Sequence, residues 1–151
     1  TLSPQNAFYI LNGIETLNLR MKKHSDNALI VAKYLQNHSK VSFVSYAGLK
    51  NNKYYNLGKK YFPHGVGSIF TIKLKNGYKA CVSMVEKANL LSHVANVGDT
   101  RSLIIHPAST THSQLSDEEK IKAGAGPDVI RLSIGLEDVE DIISDIDNSL
   151  N

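Results

Sequence analysis

The stretch SIFTIKLKNGYKACVSMVEKA, residues 68–88, changes its apolar period partway along. From Ser68 to Lys75 it alternates, with Phe70, Ile72 and Leu74 on one side and Ile69, Thr71 and Lys73 on the other. Side chains of a strand point to opposite faces in turn, so this is a strand with one buried face. Asn76-Gly77 could close a tight hairpin. The next residues, Tyr78 to Ala88, have helical spacing instead, which predicts a strand-to-helix turn.

On the N-terminal side, VSFVSY (Val41–Tyr46) is a short β-rich run and a second predicted strand, with Gly48 marking the turn after it. Asn51–Tyr61 reads as a surface helix, and FPHGVGS as a loop. On the C-terminal side, LSHVANVG and SLIIHP read as two short strands around Gly98. Ser116 and Glu119 have the spacing of a capping box and start a short helix that Gly124, Gly126 and Pro127 end. DVIRLSIGL is another strand. Glu137–Leu150 is a final amphipathic helix whose apolar face is Val139, Ile142, Ile143, Ile146 and Leu150. Its first turn is acidic, which suits the positive end of the helix dipole. At the start of the chain, Ser3 is a suitable N-cap and Pro4 a suitable first helical residue. Phe8, Leu11, Ile14, Leu17 and Met21 recur near helical spacing, and a further helical stretch ends near Asn37–Ser39. Gly13 within the first stretch implies close packing or a bend.

These elements predict an α+β fold: a long N-terminal helix leading into a small, largely antiparallel sheet with helices on one face. Residues 1–38 form a long connecting helical segment and 39–151 an α+β domain. The 151 residues suffice for one sizeable core. Hydrophobic content of 42% and charged content of 21% are ordinary for a globular domain. The net charge of +3 is scattered, with Lys22-Lys23 and Lys59-Lys60 its densest points, so no nucleic-acid partner is expected. No apolar run reaches the length of a membrane span, and the N-terminus has no signal-peptide pattern. The chain also lacks an initiator Met and reads as the middle of something longer. The one cysteine, Cys81, rules out an internal disulfide and lies among apolar residues, as a buried thiol would. It points to a reducing compartment, and the cytoplasm is the expected location.

The six histidines show no metal-ligand spacing with a carboxylate or cysteine, and there is no phosphate-cradling glycine motif. Arg131 is different: it interrupts an apolar strand, and a buried unpaired charge is costly. Either a carboxylate such as Asp99, Asp128 or Glu137 pairs with it, or it grips a substrate carboxylate through two parallel hydrogen bonds. On the residues alone the internal ion pair is favoured. Asn96–Asp99 (NVGD) could hold an anion through an amide and backbone N–H groups, or be a plain turn. Ser109, Thr110 and Thr111 offer hydroxyls in what could equally be a polar loop.

Three segments carry a resemblance. TLSPQNAFYILNGIETLNLRMKKHSDNA is similar to the long helix of the cystathionine gamma-lyase and O-acetylhomoserine sulfhydrylase family of pyridoxal-phosphate (PLP) enzymes of Cys/Met metabolism. NVGDTRSLIIHPASTTHSQLSDEE resembles that family's substrate loop, and IRLSIGLEDVEDIISDID its C-terminal strand and helix. They come in the family's order and span nearly the whole chain. The resemblance implies the C-terminal domain of a fold-type-I enzyme, with the cofactor-binding N-terminal domain absent. It implies that Arg131 grips the substrate α-carboxylate, that Asn96 and the N–H of Val97 complete that site, and that Thr111 lies beside the catalytic center. It implies no catalytic, cofactor-binding or metal-binding residue in this chain, because the lysine that anchors the cofactor belongs to the other half.

NVGD, HPASTTHSQL and SPQNAF resemble O-acetylhomoserine sulfhydrylases more than cystathionine lyases or synthases, and methionine gamma-lyases share part of the pattern. The implied parent reaction replaces the acetate of O-acetylhomoserine with sulfide to give homocysteine, in a homotetramer. The competing expectation is a stand-alone amino-acid-binding or interaction module without catalysis.

Overall fold

The computed structural model describes residues 1–151. The chain runs α1 (Pro4–Glu15), α2 (Leu17–Gln36), β1 (Val41–Ser45), α3 (Tyr55–Tyr61), β2 (Ile69–Leu74), α4 (Gly77–Lys87), β3 (Leu103–Ile105), a 3₁₀ turn (Pro107–Ser109), α5 (Asp117–Lys122), β4 (Val129–Ser133) and α6 (Val139–Leu150). The four strands form one sheet in the order β1-β2-β4-β3, with every pair antiparallel. This is the expected α+β layer.

Register sorts the side chains. Val44 lies opposite Ile72, Ile72 opposite Ile130, Phe70 opposite Leu132, and Leu132 opposite Ile104. All of these fall on one face and are buried. Against that face pack Ala28, Val31, Ala32 and Leu35 of α2, Cys81, Met84 and Val85 of α4, and Ile142, Ile146 and Leu150 of α6. The period of 3.6 in each helix and of 2 in each strand therefore meet in one core. Thr71, Arg131 and Ile105 lie side by side on the opposite face. No helix is long and apolar enough to cross a membrane.

Four local expectations change. The N-terminal helix breaks at Thr16 (φ −101°, ψ 0°), not at Gly13, and a Cβ on Gly13 would meet nothing within 4 Å. Arg20 braces the break by donating to the Gly13 carbonyl at 2.5 Å and to Thr16 Oγ1 at 3.2 Å. The helix expected from Asn51 begins at Tyr55, because the Asn52 side chain accepts from the Tyr54 N–H at 2.9 Å and holds a turn there. LSHVANVG is not a strand: its one ladder contact is the Ser92–Leu103 bridge. The carboxylate of Asp145 takes the N–H groups of Asn89 and Leu91, and Asn96 takes that of Val97, so those donors go to side chains. Finally, α6 starts at Val139 with Asp138 as its cap, its Oδ1 accepting from Glu140 N–H at 3.1 Å. Glu137 is left outside the helix.

Candidate functional site: a cleft around Arg131

β4 carries Arg131 out of the face opposite the core. There the segment after α4 passes over the sheet, and Val94, Ala95, Asn96, Leu103, Ile105, Arg131 and Ser133 line a narrow cleft with no room for a water molecule. Arg131 is half-buried, and its Nη2 donates to the Asn96 carbonyl at 3.2 Å.

Each carboxylate that could have neutralised Arg131 is engaged elsewhere. Asp99 faces Arg101, accepting from its N–H at 3.0 Å and from Nη2 at 3.2 Å. The side-chain and backbone hydrogen bonds from Arg101 hold the Asp99 carboxyl down at about 2. Asp128 pairs with Lys73 at 3.3 Å. Glu137 accepts from the backbone N–H of Ser102 at 2.6 Å and from its hydroxyl at 2.9 Å. Arg131 makes no ion pair within the chain. The internal pairing favoured on composition is not what the fold adopts. A half-buried guanidinium with open donors suits an incoming anion, and a planar carboxylate matches its fork.

Asn96 shares this cleft. Its side-chain oxygen accepts from the Val97 N–H at 2.8 Å, and its amide nitrogen lies 3.4 Å from Asp99 Oδ2. That Val97 N–H is therefore satisfied here, and the Asn96 side chain has to turn before the N–H meets a ligand. Thr111 stands apart from the cleft's lining. It is exposed in the loop after the 3₁₀ turn, with its hydroxyl 2.9 Å from His112 Nδ1. Sequence reasoning missed Ser102, Asn27 and His24, which fix the backbone around the cleft. A serine directly ahead of the apolar LII is the one sign of Ser102 in the sequence; its full burial comes from the fold.

A family model described as Cys/Met metabolism PLP-dependent enzyme matches residues 1–151, and the chain belongs to that family. Among its relatives, O-acetyl-L-homoserine sulfhydrylase of Leptospira meyeri is 47% identical over 99% of this chain and 34% of its own length. The L-methionine gamma-lyase of Fusobacterium nucleatum is 40% identical, over 99% of this chain and 38% of its own. A crystal structure described as an O-acetylhomoserine (thiol)-lyase of Campylobacter jejuni, with N'-pyridoxyl-lysine-5'-monophosphate, superposes with a TM-score of 0.92. It is 46% identical and covers 99% of this chain and 36% of that one. The chain thus spans about a third of the length of the curated relatives it matches.

A pyridoxal group is held through a sheltered lysine amine. In this chain the two half-buried lysines are occupied: Lys40 Nζ donates to the Leu150 carbonyl at 2.7 Å, and Lys120 Nζ lies 3.5 Å from Asp117. The other lysines are exposed, and none lines the Arg131 cleft. The amines present do not fit such an anchor.

Proposed function

We propose that this chain is the C-terminal, substrate-carboxylate-binding domain of a PLP-dependent sulfhydrylase that makes homocysteine from O-acetylhomoserine and sulfide. The observation that carries this reading is Arg131. It has no carboxylate partner in the chain, and Asn96 lies beside it, its carbonyl accepting from the guanidinium. The names and lengths of the relatives support the parent activity. The cofactor supplies the carbanion chemistry when bound, held by residues outside this chain. Arg131 would bind the α-carboxylate, and that contact would orient the rest of the amino acid. Thr111, exposed in the loop after the 3₁₀ turn, would lie beside the reacting center. The setting that goes with this reading is a cytoplasmic homotetramer.

The exposed apolar residues of α1, among them Phe8, Ile10, Leu11 and Ile14, support a part normally covered by further protein rather than a stand-alone module. The test is Arg131→Ala in the full-length enzyme. Losing a charged pair of hydrogen bonds of about 1.5–3 kcal/mol each should lower kcat/KM for O-acetylhomoserine by about a hundredfold or more, mainly through KM. Unchanged kinetics would remove the assignment.

A further inference from the structure

Four residues beyond β4 lies Glu137, which neither joins α6 nor pairs with a cation. Both of its oxygens go to Ser102: one accepts from the Ser102 N–H at 2.6 Å, the other from its hydroxyl at 2.9 Å. That hydroxyl accepts in turn from the Gly135 N–H at 2.8 Å. The Leu136 N–H donates to the Thr100 carbonyl at 2.8 Å. The turn after β4 is thereby stitched to the end of the 96–102 loop. The contact is close: a Cβ on Gly135 would collide with the backbone of Arg101 and Ser102.

The turn itself is held from behind. Asn27 of α2 donates to the carbonyls of Gly135 at 3.1 Å and Glu137 at 2.9 Å, and His24 Nδ1 lies 2.6 Å from the Ile134 carbonyl. Ser102 is fully buried, so in the intact chain its hydroxyl and N–H depend on Glu137 and the Gly135 N–H for their partners. Ser102 also precedes Leu103, which lies opposite Ser133 in the sheet, two residues from Arg131. Ser102 ends the loop that carries Asn96 and Val97, so Glu137 ties that end to the turn after β4.

We propose that Glu137 is a positioning residue for the substrate carboxylate: by clamping Ser102 it holds the end of the loop whose Asn96 carbonyl meets Arg131. This deepens the carboxylate-binding reading and rests on it. Misplacement by about an ångström of a loop that orients substrate can cost up to about a hundredfold.

The experiment uses the full-length enzyme and two ligands: the amino acid, and the same amine without its carboxylate. Glu137→Ala should weaken the amino acid about tenfold or more and leave the amine within about twofold. Glu137→Gln should restore most of the difference, since its amide oxygen still accepts from the Ser102 N–H. Should Glu137→Ala fail to fold, Glu137→Gln and Ser102→Ala, which keeps the backbone bond, should each show a smaller selective loss. Equal weakening of both ligands, or of neither, overturns the proposal. Arg131→Ala, run alongside, tests the underlying reading separately. If it too fails to discriminate between the ligands, the carboxylate site is wrong; if it discriminates and the Glu137 and Ser102 variants do not, only the role of Glu137 is.

Discussion

Arg131 and Asn96, 35 residues apart in the chain, meet where the Arg131 guanidinium donates to the Asn96 carbonyl at 3.2 Å. That single neutral contact leaves the other donors of the fork without a partner in the chain. Lysine would keep the charge and lose the planar, two-point fit to a carboxylate. Arg131→Lys in the full-length enzyme should therefore raise KM for the amino-acid substrate by about tenfold, the equivalent of one charged hydrogen bond. Steady-state kinetics reads this directly, and a KM equal to that of the unaltered enzyme would mean that the fork grips no substrate.

Asp145 of α6 holds the start of the segment that leads to Asn96. Its buried carboxylate accepts from the N–H groups of Asn89 at 3.0 Å and Leu91 at 3.1 Å. Asp145→Ala strands the buried Leu91 N–H and frees the part-covered Asn89 N–H. The loss in unfolding free energy should be about 3 kcal/mol, measured by urea denaturation. A loss below about 1 kcal/mol would show that water replaces the carboxylate at little cost.

His106 makes the fold sensitive to acid. It is 1% exposed, with Nε2 donating to the Pro127 carbonyl at 3.0 Å and Nδ1 2.9 Å from Ser109 Oγ. Burial lowers its pKa from the ordinary 6.5; the Pro127 carbonyl opposes that shift, and the nearby Lys120 adds to it. The unfolded histidine takes up a proton as pH falls below 6.5, while the folded one resists. The stability from this group is thus present above that pH and is lost progressively below it. In His106→Gln the unfolding midpoint should depend less steeply on pH in this range. Identical slopes for the two proteins would assign the acid sensitivity elsewhere.

Cys81 lies wholly inside the core between α4 and the sheet, and burial pushes its thiol up to about 12. A thiol that remains protonated and enclosed is inert. A maleimide or disulfide reagent at about pH 8 should label it at a rate set by unfolding, rising with urea. Rapid labelling of the folded protein would place the thiol nearer solvent than the core packing does.

Much of the architecture is readable from local signals. The alternation of Phe70, Ile72 and Leu74, the switch to helical period after Gly77, and the capping box of Ser116 and Glu119 all stand as the residues imply. Each depends on neighbours within about four residues, where backbone geometry repeats. The stretch from Leu91 to Val97 has the composition of a strand and is not one, because its donors are taken by Asp145 and by Asn96's own side chain. The first of those partners lies more than fifty residues away.

The order of residues alone thus determines most of the helices and strands, which of their faces are apolar, and that a strand otherwise built of core residues carries an arginine. What that arginine meets is a matter of the folded chain. The antiparallel register put Arg131 between Thr71 and Ile105 on the face away from the helices. The folded loops gave Asp99 to Arg101, Asp128 to Lys73 and Glu137 to Ser102. On the residues alone, three carboxylates are candidates for the Arg131 guanidinium: Asp99, Asp128 and Glu137. Which of them pairs is settled by distances of about 3 Å between groups that share no local period, and so leave no trace in the order of the residues.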